Sequence, residues 1–532
     1  MCFTNEFPSV LAGAILSAHL KSATRNYVFL FFGSVLFHLA GTWSSPLIDR
    51  DEPRFAEASR EMIERGDYVV PYFNNQLRLD KPPLAYWAQV VSYRVFGEND
   101  FAARFPSALA AALTAILIFA WGERIGGEKV GWWAAIIFAL SLQTFVHAKA
   151  AVADMWLVFF MTIGYWSGFE LIQRSTFNAQ PSTLNQEAPA SRPSWAIWKS
   201  PFLVFYLALA LGFLAKGPIA WTPLLTLGVI IIHSRDWPLA RCLKILPGIL
   251  LTLAVVALWG IPALIQTRSE FFTVGIGRHV IGRSFATMEG HGANSLAMYL
   301  LLLPFYFVTV FVSFFPWSIK LPWLIRRLWR NKKAGLSAPG YSGEMIDKYL
   351  LTGIVIIFVI FTLVSTKLPH YTLPAFPLLA LLLARHWRWY EAAAIRNGRS
   401  LFRIITIAAA CLWIAVALVV PPFVAGFFPA YQLFRDSGAY LQPNMQFAAV
   451  EFEEPSLVWY FRSRVQGFLT RLNKKNAVDF MSKQGPRFVI VPTPLVQTLF
   501  PNRPQTWTTF PRRGFNIAKG KPVDLTLFLK SE

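Results

Sequence analysis

Apolar residues run along this chain in long blocks rather than in the short alternations of a soluble domain. Eleven blocks reach or approach the length of a bilayer-crossing helix, about 20 residues. They lie near 27–46, 101–121, 130–148, 152–172, 198–215, 218–233, 245–266, 296–320, 349–366, 371–385 and 401–421. The pair 198–233 is one apolar stretch interrupted by Lys216-Gly217-Pro218, which predicts a tight turn between two helices. The segments between blocks differ in kind. Residues 175–194 and 331–347 are rich in polar and small residues and read as plain linkers. The segment 47–100 is patterned. Phe55, Ala58, Ser59, Met62 and Ile63 recur at helical spacing with Arg60, Glu61 and Glu64 between them, predicting an amphipathic helix over Pro53–Gly66 that ends at Gly66-Asp67. A second such helix, Leu84–Phe96, carries Tyr86, Trp87 and Tyr93, and both are expected in the headgroup plane. Past Pro422 the pattern changes again. From about 435 onward charged and apolar residues mix, and Arg487–Val491 and Leu525–Leu529 read as strands. The expected organisation is a helical membrane domain over 1–430 and a small soluble α/β domain over 435–532.

Composition strengthens the membrane reading. Hydrophobic residues make up 55% of the 532 positions and charged ones 15%, with a mean hydropathy of +0.43. Soluble domains carry roughly a quarter charged residues. The net charge of +21 would suggest nucleic-acid binding in a soluble chain. Here the basic residues sit between apolar blocks, where anionic lipid and topology account for them, so nucleic acid is excluded as a partner. Cys2, Cys242 and Cys411 form neither a disulfide framework nor a metal-type spacing. Met1 to Leu20 does not read as a signal peptide, since it carries Glu6, lacks an early basic region and has only a short apolar run.

Positive charge sets the expected orientation. Lys21 and Arg25 precede the first block, and Arg124, Arg174, Arg235, Arg326 and Arg385 with their basic neighbours mark alternate later loops. These belong on the cytoplasmic side. The remaining loops then open on the opposite face, and they hold nearly every other unusual charge in the chain. That convergence predicts one shared extracytoplasmic site, with the C-terminal domain on the same side.

Asp49-Arg50-Asp51-Glu52-Pro53-Arg54 directly follows the first block. Three crowded carboxylates raise one another's pKa unless a cation compensates, so Asp51 and Glu52 are candidates for acid/base work or cation binding. Capping of the following helix is the structural alternative. Lys81, stiffened by Pro82-Pro83, is a candidate phosphate ligand. Asp154 enters an otherwise apolar helix, where an acid needs a task or a partner; Lys149 and Arg104 are candidate partners. Lys216 and Lys367 sit at helix-to-helix turns, with snorkelling as the alternative to phosphate binding. The glycine-rich loop with Arg278, His279, Arg283, Glu289 and His291 can close over an anionic substrate, or its two histidines and Glu289 can hold a divalent metal, although the spacing matches no strong zinc motif.

Several stretches resemble one family. Asp51-Glu52-Pro53-Arg54-Phe55-Ala56-Glu57, Gly66-Asp67-Tyr68-Val69-Val70-Pro71 and Lys81-Pro82-Pro83-Leu84 are similar to the first loop of ArnT-like glycosyltransferases, the aminoarabinose transferases of bacterial lipid A and relatives of the protein O-mannosyltransferases. Arg104–Leu109, Asp154, Leu214–Pro218 and Lys367-Leu368-Pro369-His370-Tyr371 follow in the family's order, so the resemblance runs to about residue 385. It implies a GT-C fold: an all-α polytopic bundle of about 11–13 helices, amphipathic juxtamembrane helices, an extracytoplasmic catalytic face and a small C-terminal domain. It implies transfer of a pentose, aminopentose or hexose from a polyprenyl-phosphate (undecaprenyl-phosphate) donor to lipid A or another envelope glycolipid, or to protein. It implies a bacterial inner-membrane location, places activity on Asp51 and Asp154, and puts the donor phosphate on Lys81. Beside these, the residue reading sets Glu52 with the catalytic carboxylates, Arg54, Lys216 and Lys367 with the donor phosphate, and Arg104, Arg278, His279, Glu289, His291, His370 and Tyr371 with the substrate. No metal ligand set is fixed by it, and a divalent metal stays open. The chemistry agrees. A prenyl phosphate leaves as an anion and needs positive charge rather than a general acid. An acceptor hydroxyl needs a base, for which Asp51 is the choice; an acceptor phosphate does not. A transporter or flippase is the competing class. It would be expected to show internal repeats and broken mid-membrane helices, whereas the charges here cluster on one face and no repeat is evident. A signalling scaffold would explain the C-terminal domain but not the first loop.

Overall fold

The structure is a computed structural model that describes residues 24–178, 200–282, 295–333, 341–393, 398–517 and 519–531. Every predicted apolar block contains helix. Asp100–Gly126, Asp154–Asn178, Ile245–Gln266, Tyr341–Leu363 and Gly398–Ala425 are the long ones. Among the described residues five helices are long and apolar enough to cross a membrane, or seven spans if each of two bent pairs counts as one. The difference from eleven has local causes. Pro201–Lys216 and Pro218–Ser234 are apolar but short. Glu128–Ala139 and Leu142–Ala148 meet at 67°, and Phe305–Ser313 turns by 119° into Trp317–Asn331. Phe376–Ala393 gathers Arg385, His386 and Arg388 in its second half.

Small residues let the bundle pack closely. Ala108, Ala110, Ala111, Ala112 and Ala115 line the buried side of Asp100–Gly126. On the same helix, a Cβ at Gly122 would lie 2.7 Å from the Cα of Gly131 on the next helix. Only paired glycines allow that approach, the usual device where lipid supplies no hydrophobic drive between helices. Gly217 has φ +91° and ends Pro201–Lys216, as the Lys-Gly-Pro punctuation predicts.

The first polar segment folds as a compact platform. Its first helix runs Asp51–Arg65 and stops at Gly66 in the left-handed conformation, whose N–H reaches Ile63 O. A two-residue hairpin, β1 (Tyr72–Phe73) and β2 (Gln76–Leu77), leads to the second helix, Leu84–Phe96. The apolar face of Asp51–Arg65 packs on Ala85, Tyr86 and Val90. The headgroup-plane expectation needs correcting for this helix. Glu57 and Glu61 are fully buried and Arg60 is 2% exposed, because the C-terminal domain covers the charged face. Periodicity shows that a face is charged, not what lies on it. The second helix does keep an apolar edge outward, at Val91, Val95 and Phe96.

The C-terminal part is a five-stranded sheet in the order β4-β3-β5-β7-β6, built from β3 (Gln446–Val450), β4 (Thr470–Leu472), β5 (Arg487–Pro492), β6 (Thr508–Asn516) and β7 (Lys521–Lys530). β3 runs parallel to β4 and β5, whereas β7 is antiparallel to both β5 and β6. The two strands read from the sequence are direct partners, with Phe488 opposite Leu529 and Ile490 opposite Leu527. Alternate side chains feed two cores. One holds Phe447, Phe461 and Phe488, and the other Val489, Phe480 and Phe528. An α/β sandwich of this kind is what alternating strand faces covered by helices produce.

Candidate active site

Asp154 is the first residue of its helix. It accepts from the Lys216 ammonium at 2.5 Å, and His370 Nε2 stands 3.8 Å away. His147 joins them, its ring centroid 4.9 Å from that of His370. Four separate elements deliver these groups. Lys216 ends Pro201–Lys216, His370 lies on the 3-10 turn Pro369–Ala375, and His147 lies on the short helix Leu142–Ala148. Tyr371 places its ring under Lys216 at 5.9 Å. The result is a mixed cluster of one carboxylate, one ammonium and two imidazoles.

The candidate partners of Asp154 turn out otherwise. Lys149 donates to Phe37 O, His38 O and Ala40 O at 3.1, 2.9 and 2.6 Å, so it caps the carbonyl end of helix 24–39. Arg104 belongs to Glu52. Its Nε and one terminal nitrogen reach the two Glu52 oxygens at 2.9 and 2.7 Å. Its remaining N–H groups go to the carbonyls of Thr42, Ser45 and Pro46. Glu52 also accepts from the backbone N–H of Ile48 and of Ala151 at 2.7 and 2.6 Å. Both residues are under 5% exposed. Every strong hydrogen-bonding position of the pair is thus used inside the protein. Glu52 and Arg104, read from the sequence as catalytic and substrate-binding, here act on each other and on backbone.

That pair explains why the first loop lies beside Asp154. Glu52 is adjacent to Asp51, and Ala151 lies three residues before Asp154, so one buried carboxylate ties the two stretches together. Asp51 is exposed at the first position of its helix, and the cap position is Arg50, with no side-chain cap. Capping therefore does not account for Asp51. Close by, Arg78 donates to the Tyr86 hydroxyl at 2.8 Å, pairs with Asp80 at 3.3 Å and lies over the Phe55 ring. Burial works against the Arg78 charge, but Asp80, Tyr86 and Asp51 outweigh it and hold its pKa above the ordinary value. Lys81 is half-buried and within electrostatic reach of His370, which brings the Asp80-Lys81 knot to the Asp154 cluster. Arg54 is half-buried and acts electrostatically on Asp49.

Lys367 is placed differently from the other lysines. It is 5% exposed and donates to Phe361 O and Thr362 O at 3.1 and 2.5 Å, capping Tyr341–Leu363. Arg278 and His279 fall in the turn Phe272–Gly282, with side chains outside the described set, and Glu289 and His291 lie outside the described residues. A group able to hold a metal exists elsewhere. His147, Asp154 and His370 each offer a ligand atom, all within 4.8 Å of one another. A divalent ion there would meet the Lys216 ammonium already seated on the carboxylate. His147 and Arg78 were missed in the sequence. His147 sits in an apolar block with no motif around it, and Arg78 has only Asp80 nearby as a signal.

The chain is similar to known glycosyl-group transferases in sequence and in fold. The family model "Dolichyl-phosphate-mannose-protein mannosyltransferase" matches residues 28–276. An undecaprenyl phosphate-alpha-4-amino-4-deoxy-L-arabinose arabinosyl transferase of Edwardsiella ictaluri is 27% identical over 371 residues, 69% of this chain and 60% of that one. Its counterpart in Aeromonas salmonicida is 30% identical over 360 residues, 67% of this chain and 58% of that one. The chain thus spans about three fifths of the length of these relatives. Among solved structures, ArnT from Cupriavidus metallidurans bound to undecaprenyl phosphate superposes with a TM-score of 0.71 at 18% identity, covering 94% of this chain and 98% of that one. The fold is shared over nearly the whole length.

Proposed function

We propose that this chain, an ArnT-like multi-pass membrane protein with the GT-C fold, transfers a sugar from a polyprenyl-phosphate donor to an extracytoplasmic acceptor. The observation that carries this is the convergence of Asp154, Lys216, His147, His370 and Lys81, with the first loop and Asp51 tied to the start of the Asp154 helix through Glu52 and Ala151. In the reaction the sugar C1–O bond to the prenyl phosphate breaks, and its electron pair leaves on the phosphate oxygen. The acceptor oxygen forms the new bond to C1. Lys81 and Lys216 stabilise the departing anion, which is worth most in a site shielded from water. Asp154 holds Lys216 in place through their short contact. Asp51, exposed and uncapped, receives the proton of an acceptor hydroxyl. Where the acceptor is a phosphate oxygen there is no proton to remove, and Asp51 orients the sugar or its amine.

A glycolipid such as lipid A is the acceptor we favour, because the curated relatives act with an aminopentose carried on undecaprenyl phosphate. Protein hydroxyl is the second reading, and the mannosyltransferase family model supports it. The reading places the N-terminus in the cytoplasm and the site and C-terminal domain in the periplasm. Purified protein in nanodiscs with polyprenyl-phosphate sugar and lipid A tests it. Transfer is expected from wild type. Asp51→Ala and Lys81→Ala should each abolish transfer at near-normal protein levels. Absence of transfer with every donor, together with lipid flux in vesicles, would replace the enzyme with a transporter.

A further inference from the structure

The short helix Pro455–Arg462 of the C-terminal domain lies along Asp51–Arg65 and grips it at both ends. At the start, Asp49 accepts from the Ser456 N–H at 2.9 Å and from the Ser456 hydroxyl. A first-loop carboxylate thereby fills the N-terminus of a helix 407 residues away, whose own cap residue, Glu454, makes no side-chain cap bond. At the far end, Arg462 pairs with Glu57, with Glu64 at 2.7 Å and with Glu61 at 3.7 Å. Between them, Arg60 lies 3.9 Å from the Trp459 ring centroid and donates to Trp459 O. Trp459 and Tyr460 in turn donate to Asp100, and the Leu47 N–H reaches the Tyr460 hydroxyl. Asn74 and Leu469 exchange a reciprocal pair of hydrogen bonds at 2.9 and 2.8 Å, tying the hairpin to the same domain.

Most of these contacts are buried, the central ones are charged, and all join the first loop to the C-terminal domain. An undocked domain would leave Glu57 and Glu61, both fully buried, to be rehydrated, and the helix would lose the partner of three carboxylates. Asp51 is the first turn of that helix and lies two residues from Asp49. Its position is therefore fixed from two sides, by Arg104 through Glu52 in the bundle and by the helix Pro455–Arg462 above.

We propose that the helix Pro455–Arg462 is a catalytic clamp, and that Ser456 and Arg462 are positioning residues which hold Asp51 against the donor without touching it. The proposal rests on the transferase reading for its kinetic consequence, but the clamp itself is testable without it. Full-length wild type, Arg462→Ala, Arg462→Lys and Ser456→Ala are compared in nanodiscs by amide hydrogen exchange over residues 51–65 and by steady-state kinetics with polyprenyl-phosphate sugar. Exchange over 51–65 should quicken at least ten-fold in Arg462→Ala and less in Ser456→Ala. The turnover number should fall ten-fold or more in Arg462→Ala while KM for the donor stays within about two-fold, and Arg462→Lys should recover part of the loss. Unchanged exchange over 51–65 in folded Arg462→Ala overturns the clamp whatever the activity, and quickened exchange with unchanged turnover overturns its catalytic role. If Arg462→Ala does not accumulate, Ser456→Ala decides by the same two criteria. Wild type that transfers nothing, with exchange over 51–65 still quickened in Arg462→Ala, leaves the clamp standing and removes the transferase reading.

Discussion

Two carboxylates next to each other in sequence, Asp51 and Glu52, have opposite surroundings, and mutation should separate them. Glu52 accepts four hydrogen bonds and is saturated by Arg104 and backbone. Removing one partner of such a buried pair leaves an uncompensated charge, at a cost of about 3–5 kcal/mol. Arg104→Ala and Glu52→Ala should therefore lower thermal stability and protein level sharply, as thermal unfolding in detergent will show, whereas Asp51→Ala should leave the melting profile near wild type. Asp154 and Lys216 form a third kind of pair, partly exposed to the site. Lys216→Met should cut turnover by roughly 100-fold, the usual effect of losing one positive contact at a developing charge, measurable at saturating donor. Lys367 predicts the reverse. Its bonds go to the carbonyl end of Tyr341–Leu363, so Lys367→Met should cost about 1 kcal/mol of stability and leave the KM for donor unchanged. A motif of lysines at turns was legible in the sequence. Which lysine joins the Asp154 cluster was not, because the local pattern around Lys216 and Lys367 is alike and the partner is set by distant chain.

At the scale of elements, the junction between the first loop and Pro455–Arg462 carries its own titration. Burial pushes the Asp49 carboxyl up to about 6, against the pull of the Ser456 bonds and Arg54. Burial, then the Asp49 charge, pushes the adjoining Glu454 up to about 9, with Lys519 opposing. In the unfolded chain both titrate near 4. Between those limits the native protein holds more protons than the unfolded one, so the stabilisation is full at acid pH and is lost as pH rises through about 6 and then about 9. Docking of the C-terminal domain should be weaker at pH 9 than at pH 6, read as faster proteolysis at the domain junction. Glu454→Gln should remove most of that difference. The helices themselves were legible: Gly66 marks the end of the first loop helix, and Lys216-Gly217-Pro218 marks the turn, because both need backbone conformations only a few residues supply. The broken blocks were less so. The 67° bend after Ala139 and the 119° turn near Pro316 lie inside runs whose apolar pattern continues unbroken.

For the whole molecule, the order of motifs from Asp51 to Tyr371 was enough to indicate the fold, and the superposition on ArnT over 94% of the chain agrees. The sheet was legible in two of its strands, since Phe488, Ile490, Leu527 and Leu529 alternate into one core. What the sequence withheld is how the two parts meet. Arg462, Ser456 and Trp459 sit in an ordinary amphipathic stretch, and nothing local marks them as partners of Glu57, Asp49 and Arg60. One consequence concerns synthesis. The 407 residues between Asp49 and Ser456 take about 20–80 s to make at bacterial or eukaryotic rates. Throughout that interval the loop emerges with its charged face still in water, and the grip that fixes Asp51 does not yet exist. The helix that grips the loop is made long after the loop itself. Under the proposed clamp, a chain stalled before residue 455 leaves Asp51 held from the bundle side alone until synthesis resumes.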